Sequence, residues 1–273
     1  MLDVTNLTPT LGSEVAVDPE KLLSGMYADE LRELLIARGA IVMRGIDFDD
    51  DQLRTFAQTM GELRMGTVYE QENNGMLKIV DIAGSYFWHI DGTYTGIPPF
   101  ATVLAPRVVA PVGGGTEFAN LYAAFDDLPA DEQEYLKTLE VVHSVEASNR
   151  YAVPEQTVEH FERFQRPEYR HTQPLVWQHA SGLCSLFIGV TASHVIGMHP
   201  ADSYELLERL LAHATQDKYV YRHEWAMGDL AVWDNTGSMH RVRPFDLASG
   251  RLMHRFTLEG FEPVRAPQAV ATA

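Results

Sequence analysis

Two histidine–carboxylate pairs with a spacing of two residues occur among the eleven histidines of this 273-residue chain. They are His89-Ile-Asp91 and His160-Phe-Glu162. In an extended strand, residues i and i+2 point to the same side, so an imidazole and a carboxylate can bind one metal ion. In a helix the same two residues point about 200° apart. The spacing therefore predicts a metal site only where the local sequence is extended.

The sequence context separates the two pairs. His89 and Asp91 lie between Tyr-Phe-Trp and Gly-Thr-Tyr, an aromatic context that favours an extended conformation. His160 and Glu162 lie in a charged segment, and a run of charges is usually a solvent-exposed face. We therefore predict that His89 and Asp91 bind a metal. The alternative is that His89 and Asp91 form a structural hydrogen-bonded pair.

A third ligand is expected farther along the chain, and His240 is the best candidate because it follows a predicted strand and turn over residues 228–237. Two histidines and one carboxylate on one face are the ligand set of non-haem Fe(II) oxygenases, which leaves coordination positions open. Arg251 and Arg255 follow, and their even spacing puts both on one side of the predicted last strand.

Two buried guanidinium groups are costly unless anions meet them, and arginine binds a carboxylate through two parallel hydrogen bonds. An iron site with open positions beside such an arginine predicts 2-oxoglutarate as a co-substrate. Competing chemistries lack their motifs: the chain has no G-x-S-x-G, no G-x-x-x-x-G-K-[ST] and no H-E-x-x-H. The run Gly113-Gly-Gly115 is not followed by lysine and predicts a turn.

Composition limits the class of protein. The net charge of −17 argues against binding to a nucleic-acid backbone, which needs clustered Lys and Arg. The single cysteine, Cys184, excludes an intramolecular disulfide framework and a Cys-rich zinc site. We expect no transmembrane helix, because no run of about 18 apolar residues exists. The first residues lack a basic start and an apolar segment, so no secretory signal is expected either, and a cytoplasmic location fits best.

The elements that must position these residues follow from periodicity and turn signals. The pattern predicts short strands at 40–43, 76–80, 102–105, 183–190, 219–225, 229–233 and 251–260. It predicts helices from Pro19 to Gly39, from Asp49 to Gly61, and over 129–139 and 203–214. Strands and helices do not alternate, so the fold class is mainly β with flanking helices, as an antiparallel barrel or a double-sheet jelly roll.

Together these segments resemble the taurine dioxygenase / 2,4-dichlorophenoxyacetate dioxygenase (TauD/TfdA) family of Fe(II)- and 2-oxoglutarate-dependent enzymes. The resemblance is carried by Gly39–Gly45, Trp88–Asp91, Pro111–Phe118, Gly228–Asn235 and the region from Met239 to Arg255. It implies a double-stranded β-helix with a cupin-like core. We expect one dioxygenase domain over 1–273: a helix–strand–helix cap (1–65), a jelly-roll core (76–262) with an excursion at 148–172, and a loose tail (263–273).

The resemblance also implies roles for individual residues. His89, Asp91 and His240 match the iron ligands of the family. Thr116 and Arg251 match the groups that hold the distal carboxylate of 2-oxoglutarate.

On the substrate side, the resemblance matches Arg255 to an arginine that contacts an anionic group of the primary substrate. It matches Trp233 to an aromatic residue near the iron, although an aromatic residue in a strand is usually part of the core packing. The alternative for Arg255 is contact with the metal ligands rather than with the substrate. Tyr69 and Tyr86 are expected to line the substrate pocket, because pockets are mostly apolar.

The function expected is that of a dioxygenase that uses Fe(II), 2-oxoglutarate and O2. It would hydroxylate a small substrate, a carboxylate or sulfonate, and give succinate and CO2. Cleavage of a C–O, C–S or C–N bond would follow where the hydroxylated carbon bears a heteroatom. Two alternatives stay open: a non-catalytic jelly-roll module that binds a metal or anion, and a cupin-like metal isomerase or hydrolase. A homo-oligomer is expected whichever of these functions the protein has.

Overall fold

The computed structural model describes residues 2–66, 68–79, 83–152, 157, 158, 162 and 166–267. The helices in these residues are α1 (Pro19–Leu23), α2 (Ala28–Arg38), α3 (Asp50–Met60), α4 (Val68–Glu72), α5 (Leu121–Asp126), α6 (Ala130–Leu136), α7 (Val145–Ala152) and α8 (Pro200–Ala214). The strands are β1 (Asp3–Asn6), β2 (Ser13–Ala16), β3 (Ala40–Met43), β4 (Met76–Ile79), β5 (Ala101–Val108), β6 (Thr116–Asn120), β7 (Glu140–Ser144), β8 (Arg170–Pro174), β9 (Val176–Gln178), β10 (Cys184–Leu186), β11 (Ala192–Val195), β12 (Val220–His223), β13 (Leu230–Asp234), β14 (Ser238–Val242) and β15 (Leu252–Thr257).

The strands form one large sheet and three small ones. The large sheet has the order β1-β2-β3-β13-β5-β15-β4, and a three-stranded sheet has the order β12-β6-β14. These two sheets face each other across a core that joins Val42 and Ala231 of the large sheet to Phe118 and Tyr221 of the small one. The rings of Phe118 and Trp233 meet there with centroids 5.5 Å apart. The candidate site residues lie on this inner surface.

Helices cover the outer face of the large sheet. Leu35 of α2 and Phe56 of α3 pack in one buried cluster with Val103 and Val232 of the sheet. Helix α3 begins with a capping box, in which the side chain of Asp49 accepts a hydrogen bond from the backbone N–H of Gln52 and the Gln52 side chain accepts one from Asp49. The order of helices and strands matches the mainly β architecture expected from the sequence.

Most predicted elements are present, although several differ from the prediction in their bounds. The helix expected from Pro19 to Gly39 is broken into α1 and α2, because the chain turns at Ser24 and Gly25. The strand expected at 183–190 ends at Leu186. Beyond it, the backbone N–H of Val190 donates to the carbonyl of Trp88 instead, so this segment supports the chain that carries His89.

Part of the predicted excursion at 148–172 belongs to a sheet, because residues 170–172 lie in β8 and pair with β7. His160 lies outside the described residues, and Glu162 is exposed. The N-terminal segment adds β1, β2 and β3 to the large sheet. Of the predicted tail, residues 263–267 have no regular secondary structure and 268–273 lie outside the described residues. Within the described residues, every helix is too short or too polar to cross a membrane.

Candidate active site

The three predicted ligands come from two distant parts of the chain. His240 lies in the middle of β14, and His89 lies in the segment before β5. The two residues form an isolated antiparallel bridge, in which each backbone N–H donates to the other's carbonyl, at 3.0 and 2.9 Å. This bridge places their rings side by side, with centroids 4.1 Å apart.

The strand expected through His89 and Asp91 is not regular. Only His89 makes the bridge, and the chain turns at Asp91. The prediction that residues 89–91 form an extended strand was therefore wrong. The two side chains nevertheless converge, since Nε2 of His89 lies 3.8 Å from Oδ1 of Asp91. One possible ligand atom from each of His89, Asp91 and His240 lies within 4.8 Å of the others.

The two imidazoles have different surroundings. Nδ1 of His89 lies 2.8 Å from the carbonyl of Phe87. A carbonyl only accepts, so Nδ1–H donates and Nε2 is the nitrogen that faces Asp91. His240 is buried, and its Nδ1 has no hydrogen-bond partner. Burial, and then the neighbouring His89, lower the pKa of His240 well below its usual range, so its ring is neutral.

The Asp91 carboxylate is ionised. Burial alone would raise its pKa, but the cation of Arg255 and a hydrogen bond from Thr102 outweigh burial and hold the pKa well below its usual range. Its Oδ2 accepts from the Thr102 hydroxyl at 3.1 Å and faces Nη1 of Arg255 at 3.5 Å. Two imidazoles and one carboxylate are a donor set that fits Fe(II).

Arg251 lines one cavity together with His89 and His240. It is 3% exposed, and its Nη2 is buried without a hydrogen-bond partner. Its Nε donates to the carbonyl of Gly114 at 3.2 Å, and its Cζ lies 5.0 Å from the ring centre of Phe245. Burial lowers the pKa of Arg251 to about 10, so the group stays charged at neutral pH. A buried cation with an unpaired donor calls for an anion.

Thr116 lines the cavity with Arg251. Its Oγ1 accepts a hydrogen bond from Nε1 of Trp225 at 3.0 Å. Since the indole can only donate, the hydroxyl proton of Thr116 is left for another acceptor. Arg251 and Thr116 thus offer N–H and O–H donors to one carboxylate, and the residues present fit 2-oxoglutarate as well as the iron.

A second cavity of about 230 Å³ lies beside Asp91. Its wall combines apolar and polar side chains, including Tyr94, Val145, Ser148 and Thr191. Arg255 lines both this cavity and the one that holds Arg251, and its Nε is buried without a hydrogen-bond partner.

The remaining predicted residues have different surroundings. The ring of Trp233 packs 4.7 Å from that of His240 and lines the same cavity as Arg251. The structure does not bring Tyr86 to the cavity beside Asp91, because its ring packs against Phe245 and lines a separate cavity of about 280 Å³. Tyr69 belongs to α4, and its side chain lies outside the described residues.

Sequence reasoning missed several residues of the site. Thr102, which donates to Asp91, and Trp225, which donates to Thr116, carry no recognisable motif. Asn235 lies in the segment 228–235, which carried part of the family resemblance and helped to locate His240. No other feature of the sequence indicated that Asn235 belongs to the site. Gly114 belongs to the glycine run that predicted a turn, and its contact with Arg251 was not foreseen.

Comparison with known proteins agrees with this geometry. A family model described as "Taurine catabolism dioxygenase TauD, TfdA family" matches residues 3–257. An alpha-ketoglutarate-dependent 2,4-dichlorophenoxyacetate dioxygenase of Cupriavidus pinatubonensis is 32% identical over 265 residues, which cover 88% of this chain and 91% of the relative. An alpha-ketoglutarate-dependent sulfate ester dioxygenase of Pseudomonas putida is 30% identical over 276 residues, or 96% and 91% of the two chains.

A solved structure, that of AAD-2 in complex with Mn(II) and N-oxalylglycine, is similar over 97% of this chain and 100% of its own, with a TM-score of 0.85 and 30% identity. This likeness confirms the predicted jelly-roll fold.

Proposed function

This chain belongs to the TauD/TfdA family and is a 2-oxoglutarate-dependent non-haem iron dioxygenase, and we propose that it hydroxylates a small organic anion bound beside Asp91. The catalytic function is favoured over a non-catalytic jelly-roll module, because the relatives that cover nearly the whole chain are dioxygenases. The co-substrates are 2-oxoglutarate and O2, and the metal is Fe(II).

The convergence of His89, Asp91 and His240 carries the site assignment, since their ligand atoms lie within 4.8 Å of one another. We call these three residues the iron end. When bound there, iron supplies the activation of O2, by which 2-oxoglutarate becomes succinate and CO2 and the substrate gains a hydroxyl group.

The chain's own residues bind and orient the co-substrate. Arg251 and Thr116, which we call the carboxylate end, donate hydrogen bonds to the distal carboxylate of 2-oxoglutarate. This contact would satisfy Nη2 of Arg251, which is otherwise buried and unpaired. The aromatic and aliphatic wall around it, including Trp233 and Met253, excludes water from the reacting atoms.

Arg255 supports an anionic substrate. It faces the cavity beside Asp91 with an unpaired Nε, while its Nη1 offsets the Asp91 charge at 3.5 Å. A carboxylate or sulfonate with a short apolar body suits a cavity of about 230 Å³ walled by Val145 and Tyr94. Similar relatives are named for phenoxyacetate and sulfate ester substrates. With an ether or ester oxygen on the hydroxylated carbon, the product would split its C–O bond.

The test is 2-oxoglutarate-dependent O2 uptake by the purified protein with Fe(II) and ascorbate, across phenoxy acids, alkyl sulfates, sulfonates and simple carboxylates. We expect succinate to form in step with oxidation of one of these anions, and N-oxalylglycine to inhibit it. His240→Ala should abolish both the formation of succinate and the oxidation of the anion. Isomerisation or hydrolysis of a substrate without any use of 2-oxoglutarate would contradict the proposal and favour a cupin-like isomerase or hydrolase.

Three further expectations belong to this proposal. We propose a homo-oligomer, which light scattering of the purified protein tests. A cytoplasmic location fits the single cysteine. The net charge of −17 argues against nucleic acid as a partner.

A further inference from the structure

Three hydrogen bonds form a chain that ends on the Asp91 carboxylate. Nε1–H of Trp233 donates to Oδ1 of Asn235 at 3.0 Å, and Nδ2 of Asn235 donates to Oγ1 of Thr102 at 2.9 Å. The Thr102 hydroxyl donates in turn to Oδ2 of Asp91 at 3.1 Å. Trp233 is 2% exposed, and Asn235 and Thr102 are fully buried, so water cannot replace any of these donors.

The hydrogen bonds can run in one direction only. An indole N–H only donates, so the Asn235 amide must turn its oxygen toward Trp233 and its NH2 group toward Thr102. An ionised carboxylate only accepts, so the Thr102 hydroxyl must give its proton to Asp91. Asn235 therefore fixes the orientation of the Thr102 hydroxyl, because its NH2 group donates to Oγ1 and leaves the hydroxyl proton for the carboxylate.

We propose that Asn235 and Thr102 are positioning residues that keep Asp91 a single-oxygen ligand of the iron. The inference rests on the proposed role of Asp91. Thr102 occupies Oδ2 on the side where Nη1 of Arg255 approaches to 3.5 Å. This leaves Oδ1, 3.8 Å from Nε2 of His89, to face the metal. Without the Thr102 bond, the carboxylate is free to turn into a two-point ion pair with Arg255, which competes with metal binding.

The first test removes only the hydroxyl. Thr102→Val keeps the shape of the side chain, and Thr102→Ser restores the donor. Thr257 supplies a matched control, because it lies directly opposite Thr102 on β15, is 3% exposed and has a hydroxyl without a partner. We expect Thr102→Val to raise the Kd for Mn(II), measured by calorimetry on metal-free protein, by about tenfold or more. Thr102→Ser and Thr257→Val should stay within about threefold of the unmodified protein.

The second test asks whether Asn235 acts through Thr102. Asn235→Leu should weaken Mn(II) binding alone but add nothing in the Thr102→Val background, because both changes break one chain. Equal Mn(II) affinity of Thr102→Val and Thr257→Val would overturn the inference, and so would additive losses in the double variant. If circular dichroism shows Thr102→Val to be unfolded, the Asn235→Leu affinity decides, and an unchanged Kd overturns the inference. Failure of the unmodified protein to bind Mn(II) would instead refute the proposed iron end.

Discussion

The iron end and the carboxylate end of the site are positioned by different interactions. At the iron end, directional hydrogen bonds orient two of the three side chains: Nδ1 of His89 donates to a backbone carbonyl at 2.8 Å, and Asp91 accepts from Thr102 at 3.1 Å. The third, His240, is buried, and its Nδ1 has no hydrogen-bond partner. At the carboxylate end, the Arg251 side chain donates from Nε to the carbonyl of Gly114 at 3.2 Å and packs with its Cζ 5.0 Å from the centre of the Phe245 ring.

This difference between hydrogen bonding and packing predicts that the two ends respond to different kinds of substitution. A side chain held by hydrogen bonds loses its orientation when one donor is removed, even if shape is conserved. A side chain held by close packing is displaced when volume is added beside it. The iron end should therefore respond to isosteric loss of a donor, and the carboxylate end to an added methyl group.

The largest expected effect separates the two ends. Arg251→Ala should raise the KM for 2-oxoglutarate by roughly two to three orders of magnitude, since a desolvated charge pair contributes about 3–5 kcal/mol. Initial rates of O2 uptake at varied 2-oxoglutarate measure this change. The Mn(II) affinity should stay nearly constant, because the metal ligands are separate residues.

A suitable control is Arg243→Ala, since Arg243 pairs with Glu224 at 2.9 Å and its side chain is 47% exposed. Its KM for 2-oxoglutarate should be that of the unmodified protein. An unchanged KM in Arg251→Ala, or an equal loss of Mn(II) binding, would remove the distinction between the ends.

The sequence predicted the side chains that line the site better than it predicted the interactions that orient them. Arg251 and Arg255 line one cavity as their even spacing predicts. The pairing of β15 with β5 is irregular at one point, where Leu252 pairs with Val108 and Met253 with Pro106. The unpaired extra residue, Arg107, belongs to β5, so the alternation of side chains along β15 is not disturbed. Local spacing therefore remained a valid guide along this strand.

The supporting residues depend on register between strands, which no local pattern encodes. Thr102 is opposite Trp233 on β13, and only this pairing brings Asn235 within 2.9 Å of the Thr102 hydroxyl. Tyr86 shows the converse problem. Tyr86, three positions before His89, was expected to line the substrate pocket, but its ring packs against Phe245 and lines the separate cavity of about 280 Å³.

The second prediction compares two buried carboxyl groups. The Arg255 cation and a hydrogen bond from Thr102 hold the pKa of Asp91 low, whereas Asp234 has hydrogen bonds from Thr236 and Tyr122 but no ion pair among the described residues. Burial raises the pKa of Asp234 to about 6, above its unfolded value. The folded protein therefore holds the proton more tightly, and the stability that this group contributes below pH 4 is lost as the pH rises through 6.

Asp234→Asn should abolish this dependence. Relative to the unmodified protein, its free energy of unfolding should rise by up to about 3 kcal/mol between pH 4 and pH 8, which corresponds to a shift of about two pKa units. Urea denaturation at several pH values measures the difference. The exposed Asp202, changed to asparagine, is the control. A difference that does not vary with pH would show that folding does not raise the pKa of Asp234.

The smallest expected effect tests whether packing places Arg251. Gly114 has φ +73°, and a Cβ there would lie 2.9 Å from Nε and 3.0 Å from Cδ of Arg251. Gly114→Ala should therefore displace the guanidinium and raise the KM for 2-oxoglutarate by about tenfold, or about 1.4 kcal/mol. Gly197→Ala is a matched control, because Gly197 has φ +76° with no atom within 4 Å of an added Cβ.

Two co-substrates distinguish displacement of Arg251 from a general defect. 2-Oxopentanoate keeps the 2-oxo acid group but lacks the distal carboxylate that Arg251 is proposed to bind. If Gly114→Ala acts through Arg251, its KM should rise for 2-oxoglutarate and stay constant for 2-oxopentanoate, so that discrimination between the two falls. An equal rise for both compounds would mean that the methyl group disturbs the whole cavity, and the carboxylate end would then be no more dependent on packing than the iron end.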